Sequence, residues 1–295
     1  MEQGGDGGRE ENWSIPARGD PIWFAAEDKL KGKKRAGGAD EGAYWNISRQ
    51  PLAALLFLLP MVAAYELGAH YMVGGGVEPV RNGADHWLRT ALAQQGWDQP
   101  WLLPTVLLGG LLAWHIVGGF RWKVTPATLV GMLVESVLFG LCLVCVGEAQ
   151  EWLVNEFDPQ PVLAPTAALD LRSQAELARM LSFFGAGIYE ETLFRLAVLP
   201  VCFGILRAIS PRPQALVLAV LVSSLLFSAA HYVGPGADAF NGFGFVFRTL
   251  AGVMFATVMV NRGFGICVGT HAVYDILVGI LLPGKLLDPW LSPGG

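Results

Sequence analysis

Residues Ala127–Gly147 read ATLVGMLVESVLFGLCLVCVG, a run of apolar side chains broken by a single acid, Glu135. At 1.5 Å of rise per residue, a helix of this length is roughly 31 Å long. That matches the thickness of a bilayer's hydrocarbon core. The same reading marks 52–72, 101–120, 178–206, 213–231, 243–260 and 264–282 as further spans. The stretch 178–206 is too long for one straight span, and it carries Gly185, Gly187 and Pro200, where a helix can bend or break. Read as two shorter helices, it brings the total to eight. The expected fold is all-α: a polytopic membrane helix bundle of about 7–8 transmembrane helices.

Composition agrees. Of 295 residues, 53% are hydrophobic and 15% charged, against roughly 25% charged in an ordinary soluble domain. Residues 1–49 hold 17 of the 45 charges, so a polar, largely disordered tail precedes the embedded body. That tail has no apolar stretch near Met1, so a cleavable signal peptide is not expected. Its Ile22-Trp23-Phe24 patch is the one part suited to touching lipid headgroups. The net charge of −5, with no basic excess, gives nucleic acid no surface. Cys142, Cys145, Cys202 and Cys267 lie in apolar runs and are not a disulfide framework, and the Cys-x-x-Cys pair Cys142 and Cys145 reads as small buried hydrophobes.

Lys and Arg placement orients the bundle. With the N-terminus inside, the tail, Arg121, Lys123, Arg207, Arg212 and Arg262 share the inner side. Arg81, Arg89, Arg172, Arg179 and Lys285 fall outside. The connections 73–100 and 148–177 are then external, and the second is acidic and Pro-rich: a loop with some amphipathic helix. The expected location is a bacterial inner membrane with the N-terminus in the cytoplasm.

Ionisable groups in hydrocarbon cost several kcal/mol unless paired or hydrated, so they mark function. Three clusters stand out. In Tyr189-Glu190-Glu191-Thr192-Leu193-Phe194-Arg195, adjacent residues are about 100° apart, and the two acids face different directions. Glu191 and Arg195 are four apart and neutralise each other. Glu190 is left free for proton chemistry. In Phe227-Ser228-Ala229-Ala230-His231, Phe227 lies one turn below His231, and the small residues let a neighbouring helix come close. In His271-Ala272-Val273-Tyr274-Asp275, His271 and Asp275 share a face. Gly265 and Gly269 ahead of them favour tight helix contact. Elsewhere, Glu66 is expected to pair with His70 and Glu135 with His115. Arg248 is expected to snorkel or meet an acid.

A hydrolytic site would need a nucleophile, a proton acceptor and a stabiliser for the oxyanion. No well-placed Ser–His or Cys–His pair is evident, since Ser228 near His231 lacks a third orienting group. Activated water is then the default nucleophile, and a hydrated cavity must reach the acid. A zinc-dependent version would use Glu190, His231 and His271 as ligands, although no His-Glu-x-x-His pair is present. A non-catalytic membrane scaffold, immunity protein or transporter would use the same buried groups.

The three motifs, in this order, resemble the CPBP family of CAAX proteases and bacteriocin-processing enzymes, formerly Abi. Its pattern is Glu-Glu-x-x-x-Arg, Phe-x-x-x-His and His-x-x-x-Asn/Asp. The resemblance covers about 178–282. Together with the charge-rich tail, it gives a division into the tail 1–49, N-terminal helices and loops 50–177, a catalytic helix core 178–282 and a C-terminal tail 283–295. It implies an intramembrane glutamic endopeptidase that needs no cofactor and acts on membrane-associated peptides or proteins, prenylated CAAX-type ones among them. By motif position, Glu190 is the general base, His231 shares its water, and His271 with Asp275 supports the oxyanion. Glu191 and Arg195 are the structural pair and Phe227 the packing residue. Asp in the last position donates no hydrogen bond unless protonated, so it can instead orient His271. Simple antiparallel spans set His231 at the outer side and His271 about two turns from the inner side, a separation the fold has to close.

Overall fold

The computed structural model describes residues 44–74, 81–157, 172–234 and 237–281. The Ile22-Trp23-Phe24 patch, most of the N-terminal tail, much of the acidic connection and the stretch 283–295 lie outside the described residues. The elements, in order, are α1 (Pro51–Gly74), α2 (Gly83–Ala93), α3 (Leu102–Val117), α4 (Pro126–Phe157) and α5 (Arg172–Gly185). α5 runs on through two π-helical turns, Ala186–Glu190 and Thr192–Val198, into α6 (Leu199–Arg207). Then come α7 (Arg212–Ala230), α8 (Gly242–Arg262) and α9 (Phe264–Ile276), closed by a π-helical turn, Leu277–Leu281.

Five of these segments are long and apolar enough to cross a membrane: Pro51–Tyr71, Pro126–Val154, Arg212–Ala230, Gly242–Arg262 and Phe264–Leu281. Leu102–Val117 is a shorter apolar helix. The chain is a polytopic helical membrane protein. The long stretch 178–206 does change character at the residues expected. It turns from α to π after Gly185 and back to α just before Pro200. The acidic connection is shorter than read, because α4 carries Glu148 and Glu151 as helix out to Phe157. The connection 73–100 contains a helix, α2, that periodicity did not mark.

α9 is the central helix. Its residues from Phe264 to Ala272 are buried all round, as expected of a helix walled by others on every side. In lipid, close packing rather than water exclusion holds helices together, so small residues line the contacts. A Cβ at Gly265 would stand 3.0 Å from the Ala54 Cα of α1, and one at Gly269 would stand 3.0 Å from the Ser136 Cβ of α4. α9 thus wedges between α1 and α4 along the expected glycine stripe. Gly263 starts it with φ +89°, and a Cβ there would lie 3.0 Å from the Arg49 Cα, so only glycine fits that tight turn between α8 and α9. α4 by contrast shows the lipid an apolar flank of Val130, Leu133, Val134, Leu138 and Leu141.

Two ion pairs differ from expectation. Glu66 pairs with Arg89 at 2.7 Å, not with His70, whose ring lies 6.2 Å from that of Trp101. Glu135 takes both Arg262 Nε and Nη2 at 2.6 Å and the Tyr44 hydroxyl at 2.7 Å. His115 instead packs among rings, 5.7 Å from Phe120 and 4.7 Å from Trp122. The reason is the same in both places. A guanidinium is a permanent cation with a planar fork of donors, and it outcompetes a titratable imidazole for a buried carboxylate. Arg248 does meet an acid, Asp238.

Candidate active site

The site is assembled where the π-helical turns cross α9. A Cβ at Gly187 would lie 2.9 Å from the Val268 carbonyl oxygen and 3.1 Å from the Ala272 nitrogen. Backbone therefore touches backbone there, and Glu190 and Glu191 are delivered to the face of α9 that carries His271. π-helical geometry at functional sites is a recurring device, because the wider turn re-aims side chains.

Glu191 is wholly buried. One of its oxygens meets Arg195 Nε at 2.9 Å and accepts from the Cys267 thiol at 3.1 Å. The other accepts from His271 Nδ1 at 2.8 Å. The expected Glu191–Arg195 pair is present, and Glu191 has a second task that sequence reading missed: it orients His271. Arg195 donates to the Gly252 carbonyl at 3.2 Å, and its guanidinium lies 4.7 Å from the Phe227 ring centre and 5.6 Å from that of Phe255. The charge is thus sandwiched between two aromatic faces, a favourable setting in a dry interior.

Glu190 points the other way. Its Oε2 lies 3.7 Å from His231 Nε2 and 3.9 Å from His271 Nε2. These separations exceed a direct hydrogen bond. Oε2 is buried without a hydrogen-bond partner, and Oε1 faces Asn82 Nδ2 at 3.5 Å. His231 Nδ1 sits 2.9 Å from the Phe227 carbonyl oxygen, which can only accept, so that nitrogen carries the proton and Nε2 presents a lone pair. Phe227 also packs edge-on beneath the His231 ring at 4.9 Å, as its spacing implied. Phe255, which no motif marked, stacks on His271 at 4.5 Å and 12°.

The depth mismatch between the two histidines closes through side-chain direction. His231 follows the last residue of α7, and side chains on a helix lean back toward its N-terminus. The imidazole therefore turns inward from the bundle end, and Glu190 reaches it from the side. Asp275 stands 3.5 Å from His271 Nε2. It joins the site through that imidazole, while the Nδ1 contact that fixes the ring belongs to Glu191.

A cavity of about 130 Å³ reaches this point, lined by Gly83, Trp87, Glu190, Phe194, His231 and Asp238 among others. It has room for several waters. A larger cavity of about 190 Å³, between α2 and the 97–103 segment, contains no motif residue and lies away from this chemistry. The wall of the smaller cavity is α2. Asn82 caps that helix, accepting from Asp85 N at 2.8 Å. Arg81 and Arg89 clamp Asp85 at 2.8 Å and 2.6 Å. Tyr65 donates to Asp85 at 2.8 Å, and Tyr189, next to Glu190, donates to Glu66. The signal for this helix was in the sequence: a capping Asn82 with Asp85 three residues on, opening the polar-faced run 83–93.

A membrane helix bundle that holds one unsatisfied carboxylate between two imidazoles, open to a small cavity, has the parts of an intramembrane hydrolase. Residues 173–277 match the family described as Rce1-like, type II CAAX prenyl endopeptidase Rce1-like. That stretch runs from α5 to the end of α9 and contains all three motifs, so it supports the CAAX-protease resemblance and, with it, a peptidase. No curated protein and no solved structure matches the chain.

Proposed function

We propose that this protein is an intramembrane glutamic endopeptidase in which Glu190 activates a water molecule. The observation that carries the reading is Glu190 Oε2, buried without a partner and 3.7 and 3.9 Å from two imidazole nitrogens. Two acceptors, Glu190 Oε2 and His231 Nε2, facing each other across 3.7 Å suit a molecule that brings its own protons. Water between Glu190 and His231 gives one proton to the carboxylate as its oxygen adds to the scissile carbonyl carbon. The carbonyl pair moves onto oxygen. When the tetrahedral species collapses, the C–N bond breaks and the leaving amine takes the proton back from Glu190. Glu191 keeps His271 turned toward the reacting group, and Arg195 balances Glu191.

The substrates of this reading are peptides presented at the membrane, prenylated CAAX-type ones in particular, with the matched family as support. The Lys and Arg bias supports an N-terminus on the cytoplasmic side of the membrane. The test is cleavage of a membrane-presented peptide by the purified chain. Glu190→Ala should abolish it; equal rates for variant and wild type overturn the reading.

One observation favours a metal-dependent version. Both imidazoles engage Nδ1 on an oxygen, which is how zinc-binding histidines are held. Against it, among the described residues no group of three His, Cys, Asp or Glu side chains is placed to hold a metal ion. Stoichiometric zinc in active protein, with activity lost on chelation and restored by zinc, would select the metal version.

A further inference from the structure

We propose that Asn82 is a catalytic residue of this site, the hydrogen-bond donor that receives the scissile carbonyl oxygen. The proposal rests on the endopeptidase reading. It concerns a residue outside the three motifs and outside the matched stretch 173–277.

The argument begins with the amide. Asn82 has one acceptor end and one donor end. Its oxygen is committed to the helix cap, where it accepts from Asp85 N at 2.8 Å. The NH₂ group must then face away from α2, and it lies 3.5 Å from Glu190 Oε1. The cap therefore fixes which end of the side chain meets the site. One N–H is directed at Glu190, and the second remains for a ligand. Asn82 immediately precedes Gly83 and Ala84, which line the same cavity as Glu190 and His231.

The donor inventory of the site shows why this matters. Glu190 and Asp275 are acceptors. His231 spends its Nδ1–H on the Phe227 carbonyl, and His271 spends its own on Glu191. His271 Nε2 stands 3.9 Å from Glu190 and 3.5 Å from Asp275, so a proton on that nitrogen is drawn to carboxylates. Arg195 lies behind Glu191, ion-paired with it and donating to the Gly252 carbonyl, and Arg248 is paired with Asp238 of the cavity lining. Of the neutral donors beside the cavity, the Trp87 indole nitrogen lies against Gly234, where a Cβ would stand 3.1 Å from it, and the Asn82 amide faces Glu190.

It is also held in place before any substrate arrives. Arg81 and Arg89, on either side of Asn82 in sequence, both grip Asp85, and Arg89 also grips Glu66 of α1 at 2.7 Å. A donor fixed in advance costs no reorganisation during reaction, and removing one such donor lowers turnover about 10²–10³-fold. The long 3.5 Å approach to Glu190 is what a donor poised for another partner shows before it binds.

Serine and aspartate cap helices as well as asparagine but lack the amide donor. The test uses the full chain in proteoliposomes with a farnesylated CAAX-type peptide. Asn82→Ser and Asn82→Asp should each cut kcat about 10²–10³-fold, with KM little changed and the unfolding midpoint unchanged. Glu190→Gln is the parallel control. An inactive Glu190→Gln beside a fully active Asn82→Ser overturns this proposal alone. A wild-type chain that cleaves nothing, or a Glu190→Gln that cleaves as fast as wild type, overturns the endopeptidase reading and this proposal with it. Activity lost only in step with a lowered unfolding midpoint assigns Asn82 to the cap and also overturns it.

Discussion

Two acidic clusters lie side by side in this bundle, joined by the peptide bond between Tyr189 and Glu190. In the first, both oxygens of Asp85 and one of Glu66 accept hydrogen bonds, and the other Glu66 oxygen faces a permanent cation. Glu66 takes Tyr189 and Arg89 on one oxygen and lies 3.9 Å from Arg81 with the other. Asp85 takes Arg89 on one oxygen and both Arg81 and Tyr65 on the other. In the second cluster Glu191 is equally well served, but Glu190 keeps one oxygen unpartnered beside two imidazoles. The first cluster is charge-balanced and closed, and it fastens α2 to α1. The second is deliberately incomplete at one atom. A partly satisfied buried carboxylate is destabilising, and its persistence is explained if that atom works.

The sharpest way to break this contrast is to neutralise one acid from each cluster. Glu190→Gln should lower peptide cleavage about 10²–10⁴-fold, the usual reach of a general base, and leave thermal stability equal or higher. Glu66→Gln should do the reverse: it takes from Arg89 its charged partner on α1, leaving Asp85, and loosens α2, lowering stability by about 1.5–3 kcal/mol. Activity and unfolding should both be measured on the two variants. If Glu190→Gln unfolds more readily than Glu66→Gln, the division between working and fastening carboxylates fails.

Arg195→Met sits next in size. The substitution leaves the Glu191 charge unpaired in a wholly buried position, at a cost of about 3–5 kcal/mol. Arg195→Met paired with Glu191→Gln should recover much of that loss, because the stranded charge is gone. The double variant should still be slow in cleavage, since His271 then receives only a neutral partner at Nδ1. Stability that recovers together with full activity would show that Glu191 does not orient His271.

These contrasts also show what the sequence could reveal. Five of the seven expected spans, the motif order and the Glu191–Arg195 pair were legible because periodicity and i,i+4 spacing are local. The glycines of α9 were legible because close helix contact needs small residues wherever it occurs. The partners of Glu66 and Glu135 were not. Local spacing offered His70 to the first, whereas the fold brings Arg89 from 23 residues away. The partner of Glu135, Arg262, comes from 127 residues away. Asn82 escaped for a related reason. Its cap is a local signal, but its nearness to Glu190 arises from the ion network that docks α2. No pattern within one helix reports that docking.

The smallest effect tests a third ion pair, where Tyr44 joins Glu135 and Arg262. The Tyr44 hydroxyl donates to Glu135 at 2.7 Å, and burial, together with that carboxylate, pushes its phenol from 10.0 up to about 12. The folded state thus holds the proton more tightly than the unfolded chain. Stability from this group is fully present below pH 10 and is lost as pH rises through about 12. Tyr44→Phe removes one hydrogen bond and should cost about 0.5–1.5 kcal/mol at neutral pH. It should also flatten the stability decline between pH 10 and 12, measured as unfolding midpoint against pH. Cleavage should be unaffected, because the hydrogen bonds of this contact involve no residue of the site. A Tyr44→Phe chain that keeps the same alkaline decline would place that titration elsewhere and remove Tyr44 from the closed, fastening class to which Glu66 and Asp85 belong.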